Sequence, residues 1–266
     1  MSEYKITRAK LLETLAGVFE GKDYALAMWE GGAAGFDRVD EWSDADVQLI
    51  IQDGMVEQAF ADAEAALSAL TEIDYRYRLP EPTWHGHSQC FYRFKDASPF
   101  LLLDLVFMQE NSEAERFMQF RTHGWPKVWF DKDGLMVEEP LDEPAMLEKM
   151  KAAVEASKMR FDLFWVLTAK EINRRNKIEA FNNYLNYAVR PLHELLRIIH
   201  SPERYFYSRY PQYDLPAEVT ERLAGFYYLR DLDALADKFA EARTWYAELV
   251  EELDWDQVAA RLAPSG

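Results

Sequence analysis

The stretch 29–51, which reads WEGGAAGFDRVDEWSDADVQLII, constrains the fold of this chain more than any other. Its pattern predicts a strand, a turn at Gly31 and Gly32, a polar segment, and a second strand that opens with Asp44 and Asp46. Residues i and i+2 of a strand share one face and lie about 7 Å apart. Two carboxylates so placed suit Mg²⁺, which also takes water and phosphate oxygens as ligands. The alternative is a surface turn with ordinary acidic residues.

A third acidic residue stands inside an apolar run. Asp104 lies in the middle of FLLLDLVFM, residues 100–108, which predicts a strand. Burial of an unpaired carboxylate among such neighbours costs free energy unless a cation or hydrogen bonds stabilise it. From these residues alone, Asp104 is either a metal-binding or catalytic group or a buried Asp held by backbone amides or an arginine.

The Gly-Gly pair, eleven further residues and the Asp-Ala-Asp at 44–46 resemble the signature of the DNA-polymerase-β-like nucleotidyltransferase superfamily. Within it, the chain looks most like the aminoglycoside adenylyltransferases and lincosamide nucleotidyltransferases, which join one such domain to a helical C-terminal domain. The resemblance implies that Asp44, Asp46 and Asp104 form the catalytic site and hold Mg²⁺. It also implies that Asp104 is the general base for an acceptor hydroxyl.

The same resemblance implies how the nucleotide is held. Gly31, Gly32 and Ala33 would cradle the triphosphate with backbone N–H groups, although the family usually has Ser where this chain has Ala33. In such two-domain enzymes a basic residue of the helical domain often reaches the triphosphate. Lys170 is our candidate, from a basic cluster that also contains Arg174, Arg175 and Lys177. A solvated helix face explains this cluster equally well.

Composition and charge limit the classes of partner and the compartment that this chain suits. The 266 residues carry a formal net charge of −17, which argues against a nucleic-acid partner because such surfaces need Lys and Arg in excess. Cys90 is the single cysteine, so no internal disulfide forms, and a buried inert thiol is predicted. The charged N-terminus does not have the pattern of a signal peptide, and no apolar run approaches the ~20 residues of a membrane span. The sequence therefore predicts a cytoplasmic protein without a membrane partner.

The run EEPLDEP, residues 138–144, is the predicted domain boundary, because its prolines and acids interrupt both periodicities. Before it, strands and helices predict an α+β nucleotidyltransferase domain over 1–140, with a mixed sheet and flanking helices. Residues 111–121 are predicted as one of these helices, with Ser112 as its N-cap. After the boundary, helical periodicity predicts an α-helical bundle over 141–266 that covers the nucleotide or substrate.

Two further segments allow more than one interpretation. In one interpretation His85, His87 and Cys90 are zinc ligands, although their spacing matches no strong zinc pattern. In the others, the two histidines line the acceptor or nucleotide pocket or are ordinary polar positions of a loop. His193 and Arg197 stand four residues apart in a predicted helix and therefore share one side of it.

The resulting hypothesis is an Mg²⁺-dependent enzyme that transfers a nucleoside monophosphate to a hydroxyl of a small molecule and releases pyrophosphate. AMP from ATP is the expected donor, and an aminoglycoside-like acceptor is one candidate. Two alternatives stay open. The first is a nucleotide-binding or regulatory protein of the same fold with impaired catalysis, which Ala33 favours. The second is an enzyme that nucleotidylates a protein.

Overall fold

The structure is a computed structural model that describes residues 4–263. The chain divides into two compact units, Met1–Pro140 and Leu141–Gly266. We refer to them as the first and the second unit.

The described part of the first unit combines one mixed sheet with helices. Six strands follow the order β3-β4-β5-β2-β1-β6 across the sheet, where β2 and β5 are parallel and the other neighbours are antiparallel. In chain order the elements are α1 (Arg8–Phe19), β1 (Ala25–Glu30), α2 (Gly32–Gly35), β2 (Ala45–Ile51), α3 (Val56–Leu70), β3 (Ile73–Arg78), β4 (Ser88–Phe94), β5 (Leu103–Gln109), α4 (Phe120–His123) and β6 (Lys127–Asp131).

Alternation along β2 decides which side chains face the main core. Val47, Leu49 and Ile51 join a buried cluster with residues of α1 and α3, because every second residue of a strand points to one face. Ile50 joins a smaller cluster on the other face. Asp46 has the parity of Ile50 and therefore belongs to the face opposite the main core.

The helix predicted for 111–121 is wrong, because regular helix occurs here only in α4. The Ser112 hydroxyl accepts a hydrogen bond from Ala114 N at 3.2 Å, a local turn rather than a helix cap. The Glu115 carbonyl bonds His87 Nε2 at 2.7 Å, and the Arg116 guanidinium bonds the Glu110 carbonyl. The contact with His87 thus satisfies a backbone carbonyl that a helix would pair internally.

The second unit is helical over the residues that the structure describes. Its elements are α5 (Glu143–Asn173), α6 (Lys177–Tyr184), a π-helical turn (Leu185–Val189), α7 (Arg190–His200), a 3₁₀ turn (Pro202–Arg204), α8 (Pro211–Asp214), α9 (Ala217–Ala224), α10 (Leu232–Glu252) and α11 (Trp255–Leu262). Together with the mixed sheet, this confirms the α+β class with a helical C-terminal part. No helix between residues 4 and 263 is long and apolar enough to cross a membrane.

Sequence explains two local features of this unit. The Asp142 carboxylate caps α5 by accepting a hydrogen bond from Ala145 N at 3.0 Å. Pro191 lacks an N–H and its ring conflicts with the carbonyl four residues earlier, and the chain widens to a π-turn just before it.

A buried charge network holds the segment after α7. Arg197 is fully buried and bonds Asp214 at 2.9 Å, and Arg204 bonds the other Asp214 oxygen at 2.7 Å. Burial, and then the charge of Arg197, lower the pKa of His193 to about 4. His193 and Arg197 share one side of α7, as the spacing predicts, and both are buried there. They are therefore part of the packing of this unit.

We expect Asp214→Ala to destabilise the protein by about 3 to 5 kcal/mol, because two buried guanidinium groups lose their carboxylate. Asp233→Ala is the control, since Asp233 pairs with Arg175 at the surface and should matter much less. Denaturant unfolding followed by circular dichroism measures both variants. Equal losses for the two would contradict a structural role for the buried network.

Candidate active site

The register of β2 and β5 places two of the predicted carboxylates side by side. Asp46 and Asp104 are direct partners in this parallel pair, and neighbouring strands lie about 4.8 Å apart. Asp44 stands two residues before Asp46, and its Oδ1 accepts a hydrogen bond from Leu102 N at 3.4 Å. The structure thus places the three predicted acids near the N-terminal ends of the two central strands of the sheet.

The glycine pair lies directly against these acids. Gly31 N donates to the Asp46 carbonyl at 3.0 Å. A Cβ at Gly32 would lie 1.8 Å from Asp46 Oδ2, and Gly32 has a φ of +54°, a conformation that L side chains rarely adopt. The predicted turn is in fact the short helix α2, which contains Gly32 and Ala33. Only glycine at position 32 lets the backbone approach the Asp46 carboxylate this closely.

The Asp104 carboxylate is held by one amide. Gln89 Nε2 donates to both of its oxygens, at 2.7 and 2.9 Å. Burial raises the pKa of Asp104 to about 7; the Gln89 hydrogen bond opposes this shift, and the charges of Asp46 and Asp44 add to it. Of the two interpretations open from sequence, the structure shows a hydrogen-bonded carboxylate whose partner is a side-chain amide.

Glu30 is a fourth carboxylate, which the sequence analysis missed. It ends β1, is buried, and forms an ion pair with Arg8 of α1, whose Nε donates to the Asp44 carbonyl at 3.0 Å. Burial raises the pKa of Glu30 to about 7; Arg8 opposes the shift and Asp46 adds to it. A charged residue that closes the apolar run ALAMW just before the glycines was the available signal.

Gln89 contacts His85 as well as Asp104. Its Nε2 lies 2.9 Å from Gln89 Oε1, and its Nδ1 accepts a hydrogen bond from the backbone N–H of His87 at 3.2 Å. His87 is buried against the Glu115 carbonyl, and burial lowers its pKa. Cys90 belongs to the main core on the other face of β4, where burial raises the pKa of its thiol. These residues therefore do not gather as three zinc ligands.

An open cavity of about 440 Å³ adjoins this loop. His85, Glu115 and Phe117 are among its lining residues, with Trp84, which is 87% exposed. This volume falls in the range of small-molecule sites. Of the three interpretations of the histidines, pocket lining describes His85, whereas His87 is a buried loop residue.

Lys170 lies in the second unit, in the last turn of α5, and is exposed. Two members of its basic cluster have surface partners: Arg174 pairs with Glu171 at 2.5 Å, and Arg175 pairs with Asp233 at 2.5 Å. A solvated helix face accounts for these two arginines. A phosphate contact of Lys170 stays a prediction.

The predicted donor set of Asp44, Asp46 and Asp104 consists of carboxylate oxygens, the ligand type that a hard divalent cation prefers. Among residues 4–263, no group of three or more His, Cys, Asp or Glu is arranged so that it could hold a metal ion. In this arrangement both Asp104 oxygens accept hydrogen bonds from Gln89. Metal contacts of Asp44, Asp46 and Asp104 therefore stay a prediction.

Comparisons with known proteins add little to this geometry. No family model and no curated protein matches the chain. A solved structure of a STING-associated CdnE c-di-GMP synthase from Capnocytophaga granulosa is similar over 92% of this chain and 80% of that one. The identity is 15% and the TM-score is 0.29, so this likeness carries no functional weight. The predicted similarity to the antibiotic-modifying enzymes is not shown, and the site itself has to support the function.

We expect Gly32→Ala to displace Asp46 and to destabilise the protein by more than the about 1 to 2 kcal/mol that left-handed backbone strain costs alone. Gly54→Ala is the matched control, because Gly54 has a φ of +77° and a Cβ there would meet nothing within 4 Å. Urea unfolding of both variants separates the clash from the strain. Equal destabilisation would show that Asp46 does not lie against Gly32.

Asp104 should make stability depend on pH. Its pKa is raised from 3.8 to about 7 in the folded chain, so its contribution is fully present below pH 3.8 and is lost as the pH rises through 7. We therefore expect the free energy of unfolding of wild type to fall between pH 4 and pH 7 relative to that of Asp104→Asn, whose side chain does not titrate. Urea unfolding across this pH range measures the effect. Parallel curves for the two proteins would contradict a raised pKa at Asp104.

Proposed function

We propose that this chain is an Mg²⁺-dependent nucleotidyltransferase that moves a nucleoside monophosphate, AMP from ATP, to a hydroxyl of a small molecule. The observation that carries the proposal is the register of β2 and β5, which pairs Asp46 with Asp104 while the Gly32 backbone lies against Asp46. The proposal unites the three acids and the glycines in one site. Phosphoryl transfer requires such a site because its catalysis consists mostly of positioning and charge stabilisation.

Asp44 and Asp46 are the residues that would hold the metal. Mg²⁺, when bound, stabilises negative charge on the transferring phosphoryl group and on the departing pyrophosphate. The chain contributes a rigid frame, since Asp46 sits in a strand that is buried on both sides by apolar neighbours. Backbone N–H groups of Gly32 and Ala33 would face the triphosphate.

Asp104 would accept the proton of the acceptor hydroxyl. A general base works best when its pKa lies near the working pH, and burial raises that of Asp104 to about 7. The Gln89 amide holds both carboxylate oxygens and so restricts the orientation of the carboxylate. The fixed orientation supports the base role, whereas the pKa of about 7 describes the site without a cation, and Mg²⁺ at Asp46 would lower it.

The cavity beside His85, about 440 Å³ in volume, has neither Gln89 nor Asp104 among its lining residues, so a small acceptor that reaches Asp104 would extend beyond it. The net charge of −17 favours an acceptor that is neutral or cationic and disfavours nucleic acid. An aminoglycoside-like molecule satisfies both conditions. Identification of the acceptor requires a screen with labelled ATP.

The first test is calorimetric binding of ATP, with and without Mg²⁺, to wild type and to Asp46→Asn. We expect Mg²⁺-dependent binding in wild type and at least a tenfold weaker affinity in the variant, because one metal-binding carboxylate is lost. Asp37→Asn is the matched control: Asp37 is an exposed carboxylate near the same glycines, paired with Lys127, and Asn tolerates its φ of 53°.

The outcomes separate the candidate functions. Binding that is unaffected by Asp46→Asn would remove the proposed metal site. Mg²⁺-dependent binding without pyrophosphate release, in the presence of a broad set of hydroxyl acceptors and cell extract, would instead identify a binding protein with impaired catalysis. Label transferred to a protein in the extract would replace the small-molecule acceptor by a protein.

A further inference from the structure

A hydrogen-bonded chain of three side chains leads from the cavity to the carboxylates. His85 contacts Gln89 at 2.9 Å, and Gln89 contacts both oxygens of Asp104. We infer that His85 and Gln89 are positioning residues for Asp104, where His85 acts only through Gln89. The catalytic consequence of this inference rests on the proposed function, whereas the geometry of the three hydrogen-bonded side chains does not.

The direction of the chain follows from one backbone group. The His87 N–H donates to His85 Nδ1 at 3.2 Å, so Nδ1 carries no proton and the neutral imidazole is protonated at Nε2. His85 Nε2–H therefore donates to Gln89 Oε1. This fixes the amide, so that its NH₂ group faces Asp104.

The Thr83 hydroxyl does not disturb this order. It donates to the His87 carbonyl at 2.6 Å, which leaves it no proton to give to His85 Nδ1. The loop 83–87 thus holds the imidazole through its own backbone. The tautomer of His85 is a consequence of loop conformation.

The chain matters because an amide has two opposite ends. If Gln89 turned over, its Oε1 would face the Asp104 carboxylate, and two acceptors would repel. The His85 donor opposes this flip by holding Oε1 on its own side. Hydrogen bonds to an ionised carboxylate are charge-assisted and among the stronger ones in proteins. If Gln89 lost this orientation, the Asp104 carboxylate would lose both of its Gln89 hydrogen bonds and would no longer be held in one orientation.

The experiment combines two single variants with their double. Gln89→Leu removes the amide, and His85→Phe keeps the ring in contact with Trp84 and Phe117 but removes its donor. We expect each to lower kcat at least tenfold with the KM for ATP within twofold of wild type. His85→Phe should have no further effect in the Gln89→Leu background, because residues that act in series are not additive.

Two other variants complete the set. His85→Gln keeps a side-chain N–H donor and should recover most of the kcat that His85→Phe loses. Arg93→Gln is the control on the same strand, since Arg93 is exposed and is not one of the three hydrogen-bonded side chains. Additive effects of His85→Phe and Gln89→Leu, or no recovery with His85→Gln, would overturn the inference.

A second readout does not depend on activity. In ¹⁵N spectra of the full chain, the Gln89 side-chain NH₂ should exchange slowly with water in wild type and at least tenfold faster in His85→Phe. Unchanged exchange in that variant would overturn the inference by itself. If the wild type transfers no nucleotide, the proposed function fails, and the NMR comparison still decides whether His85 orients Gln89.

Discussion

Two carboxylates at one register position, Asp46 and Asp104 on parallel neighbouring strands, are the constraint on which the candidate site depends. Like charges this close repel, and partial burial strengthens the repulsion because the local dielectric constant is low. The strands cannot separate to relieve it, since β2 and β5 are paired over their whole length, from Ala45–Leu103 to Ile51–Gln109. Binding of a cation or protonation of a carboxyl relieves this repulsion. Burial is the main cause of the raised pKa of Asp104, about 7, and the charges of Asp46 and Asp44 add to it.

The residues that contact the site differ in charge. Arg8 forms an ion pair with Glu30, and its Nε donates a hydrogen bond to the Asp44 carbonyl. Gln89 supports Asp104 with a neutral amide. A lysine at that position would have neutralised the carboxylate and lowered its pKa. A neutral donor orients the carboxylate and leaves its demand for a proton or a cation in place, which is the property that a base requires.

Sequence alone pointed to the acids through local periodicity and an interrupted apolar run. Asp44 and Asp46 were predicted to share a strand face, but β2 begins at Ala45, so Asp44 directly precedes the strand. Asp104 was identified because it interrupts an apolar run. Arg8 and Gln89 were not found, since their roles depend on α1 and β4 being brought beside β2 and β5. The helix at 111–121 failed for the same reason: His87, distant in sequence, takes a backbone carbonyl of that segment.

The acids found from the sequence and the residues found only in the structure have different physical roles. The acids that sequence reveals supply negative charge, and almost any strand could carry them. Their protonation and orientation are set by residues that only the fold assembles, down to the His87 N–H that selects the tautomer of His85 and thereby the orientation of Gln89. A relative that kept the acids and glycines but changed the loop 83–87 would keep the motif while losing control of Asp104. The motif alone is therefore weaker support for catalysis than the motif together with this loop.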